Sequence, residues 1–171
     1  IGGCVATSNT FAGKERGIPA KGTMAHSWVM SFDSEEEAFM AYAQLYPSSS
    51  IFLIDTYETL GSGIENAIKA GHYLKEKGES FGVRLDSGDL EYLSREVRKR
   101  LDNAGFKEAN IAVSNELNEE IIHQLMTSKA PIDLWGVGTH MVTGGSDSAL
   151  TGVYKLAAIN KNNSMKPVIK I

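Results

Sequence analysis

The chain alternates short apolar runs with longer amphipathic stretches. Four of the apolar runs have the length of buried strands, at residues 51–54, 81–85, 111–113 and 134–135. Between them, apolar side chains recur at helical spacing, most clearly at Leu90, Leu93, Val97 and Leu101. Buried strands that alternate with amphipathic helices are typical of a parallel sheet in an α/β fold. A further strand is expected upstream, at residues 18–23.

Polar residues set the expected boundaries of the helices. Residues 7–9 offer side-chain caps for a helix that ends near Gly17. A capping box at residues 34–37 predicts a second helix, which is expected to bury Ala38, Phe39, Tyr42 and Leu45. Later helices are expected at about 62–78, 90–105 and 117–128, the last of them burying Ile121, Leu125 and Met126.

Each expected strand ends in polar residues or glycine, at intervals of about thirty residues or slightly less. These ends fall at His26, Asp55, Asp86, Asn115 and Gly138. The carboxyl ends of parallel strands meet at one edge of a sheet, where α/β proteins place their chemistry. A helix cap with a surface ion pair would explain one such turn, but five in succession predict a functional edge.

The repeat predicts an incomplete (β/α) barrel of the TIM type over residues 1–150, with five or six parallel strands. Residues 151–171 break the repeat, because two β segments flank a turn rich in asparagine. This pattern predicts a β hairpin that leads toward a further domain. An outer strand whose free side is exposed invites pairing with another chain, so a homodimer is expected.

Composition narrows the class of protein. The net charge is −4, so nucleic acid is not an expected partner. No apolar run approaches the roughly 20 residues that span a bilayer, and no membrane association is expected. Cys4 is the single cysteine of the chain, which fits a reducing cytoplasm. The first residue is Ile, and the chain is interpreted as a piece of a longer protein.

Two stretches are candidates for anion binding. Residues 136–152 are rich in glycine, which lets backbone N–H groups approach an oxyanion. Loops after late barrel strands often bind phosphate, so Gly136, Gly138 and Thr139 form the candidate phosphate site. Ser8 and Asn9 keep two possible roles, as helix caps or as contacts to a ligand at the helix N-terminus.

Six motifs together resemble the nicotinate phosphoribosyltransferases, which are type II phosphoribosyltransferases. In chain order they are ATSNTFAG, KGTMAHSW, LIDTYET, GVRLDSGDL, VSNE and WGVGTHMVT. The resemblance covers residues 1–160 and implies a reaction in NAD salvage. Nicotinate and 5-phosphoribosyl-1-pyrophosphate (PRPP) would give nicotinate mononucleotide and pyrophosphate, with Mg²⁺ as cofactor and ATP as co-substrate. Family chains are more than twice as long, so this segment alone is expected to be inactive.

The resemblance also implies roles for single residues. His26 matches the histidine that ATP phosphorylates, and Arg84 matches the arginine that meets the nicotinate carboxylate. His26, Asp55 and Asp86 are the implied catalytic residues, and Asp86 and Asp89 the implied Mg²⁺ ligands. The implied substrate contacts are Ser8, Asn9, Ser27, Arg84, Ser87, Gly88, Asp89, Ser114 and Asn115. Asp55 is the expected hydrogen-bond partner of one His26 ring nitrogen, from its position at the edge.

Two alternatives stay open. The chain could belong to a nicotinamide or quinolinate phosphoribosyltransferase, although a second substrate carboxylate would call for more basic residues than Arg84 and Lys21. It could also be a non-catalytic remnant that serves only structure or dimerisation. For His26, an ordinary packing role is the alternative to catalysis.

Overall fold

Four parallel strands form the centre of the molecule. The structure is a computed structural model that describes residues 3–143, 150, 152 and 154–170. The strands lie in sequence order across the sheet and are β1 (Ile51–Leu53), β2 (Gly82–Leu85), β3 (Asn110–Val113) and β4 (Leu134–Trp135). Parallel pairing in this order confirms the predicted α/β fold, and it directs the ends of all four strands to the same edge.

Seven α-helices are described around the sheet and before it. They are α1 (Thr10–Arg16), α2 (His26–Met30), α3 (Glu35–Leu45), α4 (Ile64–Glu76), α5 (Leu90–Asn103), α6 (Glu119–Thr127) and α7 (Thr139–Val142). A 3₁₀ turn, Pro47–Ser49, precedes β1, and a π-helical turn, Thr59–Gly63, leads into α4. Side chains cap four of the helices, namely Asn9, Ser34, Asp89 and Asn118. The caps explain why the polar residues predicted most helix starts.

The core lies between the sheet and α3, α4 and α5. Phe39, Phe52 and Phe81 form a continuous row of rings, with centroids 5.1 and 5.7 Å apart. Phe106 extends the row at 5.0 Å from Phe81. Aromatic pairs at these separations add to the apolar burial that holds helices on a sheet. This row of rings therefore contributes to the packing of the helices on the sheet.

The predicted strand at residues 18–23 is wrong. Among the described residues, this stretch makes an isolated parallel bridge between Thr7 and Ala20. Two hydrogen bonds form it, from Thr7 N–H to the Pro19 carbonyl and from Lys21 N–H to the Thr7 carbonyl. Pro19 has no N–H to extend the ladder. The described sheet consequently has four strands and not five or six.

Two predicted core residues are exposed. Leu45 is 62% exposed and Met126 is 64% exposed. Leu45 follows the buried Ala43 by two positions, and Met126 follows the buried Leu125 by one. Because successive helical residues are turned by about 100°, both side chains leave the buried face of their helix.

The C-terminal hairpin is present, with a tighter turn than predicted. Strands β5 (Ala158–Lys161) and β6 (Ser164–Pro167) pair antiparallel. Asn162 and Asn163 form the two-residue turn with φ of 54° and 60°, as asparagine does readily in hairpins. Within the described part of the chain, no helix is both long enough and apolar enough to cross a membrane.

Candidate active site

The carboxyl edge of the sheet gathers polar side chains from three successive strand ends. Asp55 and Thr56 follow β1, Asp86 and Ser87 follow β2, and Ser114 follows β3. The Ser87 hydroxyl donates to Asp55, and the Ser114 hydroxyl donates to Asp86. Each bond joins neighbouring strands, so parallel pairing brings these residues together as the sequence predicted.

His26 faces this edge from the first turn of α2. Its Nδ1 lies 3.0 Å from the Thr56 hydroxyl oxygen. Its Nε2 lies 3.5 Å from Oδ2 of Asp86 and 3.9 Å from Oδ1 of Asp55. Asp55 is therefore not the hydrogen-bond partner that the sequence predicted, because Thr56 occupies Nδ1 and the Asp55 oxygen lies beyond hydrogen-bond range of Nε2.

Lys170 joins the site from the segment after the hairpin. Its Nζ lies 3.1 Å from Nε2 of His26, 3.2 Å from Oδ2 of Asp55 and 3.4 Å from Oγ of Ser87. Sequence reasoning missed this residue. It is 115 positions away from Asp55 and belongs to no motif, so nothing in the local pattern connects it to the edge.

Arg84 lies in β2, just before the polar turn. Its Nη1 donates to the Thr23 hydroxyl, while its buried Nε has no hydrogen-bond partner among the described residues. Burial lowers the pKa of the Arg84 guanidinium, and the charges of Asp86 and Asp55 act in the opposite direction. A buried, partly unsatisfied guanidinium is suited to a two-point contact with a carboxylate.

The two aspartates differ in their surroundings. Burial alone would raise the pKa of the Asp86 carboxyl, but the contacts with His26 and Ser114 and the charge of Arg84 outweigh it and lower that pKa. Asp55 is 3% exposed, and its Oδ1 has no hydrogen-bond partner within the described residues. Within the described residues, the edge thus holds one buried carboxylate oxygen, Oδ1 of Asp55, that has no hydrogen-bond partner.

The sequence matches a known family model. The model of the nicotinate phosphoribosyltransferase (NAPRTase) family matches residues 3–171. The chain belongs to this family. It is 46% identical over its whole length to the nicotinate phosphoribosyltransferase of Bacillus subtilis strain 168. It is 43% identical over 97% of its length to the nicotinate phosphoribosyltransferase pncB2 of Mycobacterium tuberculosis.

Solved structures agree with the assignment to the nicotinate phosphoribosyltransferase family. The crystal structure of human nicotinic acid phosphoribosyltransferase matches with a TM-score of 0.74 and 28% identity. That match covers 81% of this chain and 39% of the human one. The chain spans 35% of the length of the two bacterial relatives, so it corresponds to about a third of a family enzyme.

Several positions implied by the family motifs are exposed or act as helix caps. Asn9 caps α1 by accepting from the Ala12 N–H at 2.9 Å, and Ser8 and Ser27 are exposed. Asp89 caps α5 by accepting from the Tyr92 N–H at 3.0 Å. For Asn9, the cap is one of the two roles that the sequence left open, and Asp89 acts as a cap in the same way.

The remaining implied positions lie in turns beside the cluster. Gly88 and Asn115 adopt left-handed backbone angles, with φ of 81° and 85°. Gly136 packs against Ser114, since a Cβ built there would lie 3.2 Å from the serine Cβ. Gly138 precedes α7 and Thr139 begins it. Residues 144–149 of the glycine-rich stretch lie outside the described residues.

A Mg²⁺ site fits this edge only with help from a substrate. In the part of the chain that the structure describes, no group of three or more His, Cys, Asp or Glu side chains is arranged to bind a metal ion. Asp86, with the unpartnered Oδ1 of Asp55 beside the same histidine, offers one or two carboxylates. Mg²⁺ commonly takes that number from the protein and fills its shell with water and phosphate oxygens.

Proposed function

We propose that this chain is the catalytic segment of a nicotinate phosphoribosyltransferase that acts in NAD salvage in the cytoplasm. The reaction joins nicotinate to C1 of PRPP and releases pyrophosphate, with ATP hydrolysis coupled to it. One observation carries the proposal: a largely buried guanidinium, Arg84, whose Nε has no hydrogen-bond partner among the described residues, shares an edge with two carboxylates, Asp55 and Asp86. These are the charges that a carboxylate-bearing base and a ribosyl cation require.

The carboxylates serve the ribosyl transfer. As the bond from C1 to pyrophosphate breaks, the ribose gains positive charge, as in a glycosidase transition state. Asp55 and Asp86 stabilise that charge. When bound, Mg²⁺ neutralises the leaving pyrophosphate, and Asp86 is the proposed protein ligand, with Asp89 as the weaker candidate. Gly136, Gly138 and Thr139 are the proposed contacts for the 5′-phosphate of PRPP.

Arg84 serves selection of the base. A guanidinium donates two parallel hydrogen bonds to the two oxygens of the nicotinate carboxylate. A carboxamide has only one such oxygen and cannot accept both bonds. Asn9 is proposed to lie near the same group, since an amide does not repel a carboxylate. Ser8, Ser27, Ser87, Gly88, Ser114 and Asn115 complete the proposed substrate contacts.

His26 serves the coupling to ATP. Its imidazole is 20% exposed and lies between Thr56 and the carboxylates. An imidazole nitrogen is a nucleophile toward a phosphoryl group. Phosphorylation adds negative charge and hydrogen-bond acceptors beside the pyrophosphate site, and it favours ordering of the neighbouring turns around Mg²⁺.

The rest of the enzyme is proposed to complete the sheet and the site. The parallel sheet has unpaired outer sides at β1 and β4 among the described strands. Strands from the remaining two thirds of a family-length chain would close these sides into a (β/α) barrel. Residues 1–150 form its partial barrel, residues 151–171 lead toward the second domain, and a homodimer covers what stays open.

Substrate selection in the complete protein that carries this segment tests the proposal. Purified enzyme with PRPP, Mg²⁺ and ATP is given nicotinate, nicotinamide or quinolinate, and the mononucleotide and pyrophosphate are quantified. We expect turnover with nicotinate alone, and none from the isolated 171-residue segment. Preference for another base would favour a different type II phosphoribosyltransferase. Absence of turnover in a folded, complete protein would favour an inert remnant.

A further inference from the structure

Lys170 reaches the carboxyl edge of the sheet from the segment that follows the hairpin. Its ammonium contacts Nε2 of His26 at 3.1 Å, Oδ2 of Asp55 at 3.2 Å and Oγ of Ser87 at 3.4 Å. The lysine side chain is 27% exposed and that of Asp55 is 2% exposed. The contacts therefore form largely away from bulk water, where charged hydrogen bonds are strong.

These contacts decide which ring nitrogen of His26 carries the proton. An ammonium group has only donors, so Nε2 must accept the hydrogen bond from Lys170. In the neutral ring, the proton then lies on Nδ1 and is donated to the Thr56 hydroxyl at 3.0 Å. The opposite tautomer would direct an N–H at the ammonium.

Asp86 competes weakly for the same nitrogen. Its Oδ2 lies 3.5 Å from Nε2, at the outer limit of a hydrogen bond, whereas Lys170 lies at 3.1 Å. A carboxylate only accepts, so Asp86 could bind Nε2 only if that nitrogen carried a proton. Lys170 therefore favours Nε2 as the unprotonated nitrogen, with its lone pair accepting from the ammonium at the polar edge.

We propose that Lys170 is a positioning residue for His26. It holds Nε2 as the unprotonated nitrogen, and it then neutralises the phosphoryl group that this nitrogen receives. The second part rests on the proposed phosphorylation of His26 by ATP, whereas the assigned tautomer does not depend on it.

The phosphoryl transfer that this geometry supports is balanced. The lone pair of Nε2 forms the bond to the γ-phosphorus of ATP. The bond from that phosphorus to the bridging oxygen breaks, and its electron pair leaves with ADP. The Nδ1 proton stays on the ring and keeps its bond to Thr56. The ammonium of Lys170, displaced from Nε2, pairs with the oxygens of the new phosphoryl group.

A plain ion pair with Asp55 is the competing explanation. Such a pair would hold the end of the chain on the sheet without any effect on the imidazole. The two roles differ in what happens to His26 when the ammonium is removed, because only a positioning role changes its tautomer and its reactivity.

Three variants of the complete enzyme separate these roles. Lys170→Met removes the ammonium and keeps the length of the stem, and Lys170→Arg keeps a positive charge. Lys166→Met, in the exposed strand β6, is the matched control. Transfer of labelled γ-phosphate to His26 is followed in a single turnover as acid-labile phosphate. The His26 tautomer is read independently from the ¹⁵N shifts of the ring, in the absence of ATP.

We expect phosphorylation to slow roughly 100-fold in Lys170→Met, the usual effect of removing one placed donor. Lys170→Arg should recover part of the rate, and Lys166→Met should match the wild type. The ring proton should lie on Nδ1 in the wild type and shift toward Nε2 in Lys170→Met. A proton on Nε2 in the wild type, or an unchanged rate in Lys170→Met, would overturn the proposal. If the wild type takes up no phosphate at His26, the proposed ATP step fails. The ring tautomer alone then tests whether Lys170 keeps Nε2 unprotonated.

Discussion

The amino ends and the carboxyl ends of the parallel strands form two opposite edges of the sheet, and these edges carry different kinds of side chain. At the amino edge, Phe81 and Phe106 pack with their rings 5.0 Å apart, and Lys75 lies over the Phe106 ring at 5.3 Å. At the carboxyl edge, Asp55 and Arg84 are at least half-buried, yet each keeps a polar atom without a hydrogen-bond partner in the part of the chain that the structure describes. Among the described residues, the strands therefore begin beside packed aromatic rings and end beside buried polar atoms that lack a hydrogen-bond partner.

The difference separates what stabilises the fold from what binds a ligand. Burial of aromatic rings contributes favourable free energy to folding. An unsatisfied buried polar atom costs about 1–3 kcal/mol, so the carboxyl edge weakens the free protein. A substrate that supplies the missing partners would recover that cost on binding, which is why we assign chemistry to this edge and stability to the other.

Loss of an aromatic ring at the amino edge should have the largest effect on stability. Phe81 is 4% exposed and contacts Phe52 and Phe106. We expect Phe81→Ala to lower the free energy of unfolding by about 3–5 kcal/mol. Molecules that stay folded should keep their Michaelis constant for nicotinate. Denaturant unfolding and steady-state kinetics measure the two effects. A higher Michaelis constant for nicotinate in folded Phe81→Ala would contradict the assignment of stability to the amino edge and binding to the carboxyl edge.

Removal of the guanidinium at the carboxyl edge should act on catalysis instead. Under the proposed function, Arg84→Ala leaves the substrate carboxylate unpaired, at an expected cost of about 2–5 kcal/mol in transition-state binding. This corresponds to a decrease in kcat/KM for nicotinate of roughly 30-fold or more. Arg95→Ala, which breaks a surface pair with Glu91 in α5, is the control and should leave kinetics unchanged. Unaltered kinetics in Arg84→Ala would remove this residue from substrate recognition.

A glycine near each edge offers a matched pair. A Cβ at Gly63 would collide with the backbone carbonyl of Ile54, which leads into Asp55 and Thr56. A Cβ at Gly71 would collide with the Phe81 ring. We expect each Gly→Ala change to destabilise by about 1–3 kcal/mol, but only the change at Gly63 to lower kcat/KM as well. Equal kinetics in both variants would contradict the assignment.

Glu35 should give the smallest effect, and its sign is the test. Burial raises the pKa of this carboxyl, against hydrogen bonds from Ser62 and Asn66. A raised carboxyl pKa contributes stability that is fully present below the unfolded-state value, about 4.3, and is lost as pH rises through the folded-state value. Glu35→Gln should therefore gain stability relative to the wild type as pH rises, on the order of 1 kcal/mol. Melting curves from pH 4 to 8 measure it, and a difference that falls with pH would be the wrong sign.

The strand order and the polar edge were predictable because they depend on local patterns. Apolar runs ending in Asp55, Asp86 and Ser114 are visible in the sequence, and parallel pairing alone brings their ends together. The strand at residues 18–23 was predicted wrongly although Pro19 is visible in the sequence, because a proline inside a short run argues against a paired strand. The role of Lys170 was not predictable either, since its contacts depend on where the hairpin places the segment that follows it.

The stoichiometry of ATP use in the complete enzyme tests the central claim most directly. His26→Ala and His123→Ala, an exposed histidine on α6, are compared with the wild type for ATP hydrolysed per nicotinate mononucleotide formed. Melting curves check folding. We predict that His26→Ala abolishes ATP hydrolysis and leaves slow mononucleotide formation without ATP, while His123→Ala behaves as the wild type. Retained ATP coupling in folded His26→Ala would contradict the account, because the carboxyl edge would then lack its proposed phosphate acceptor.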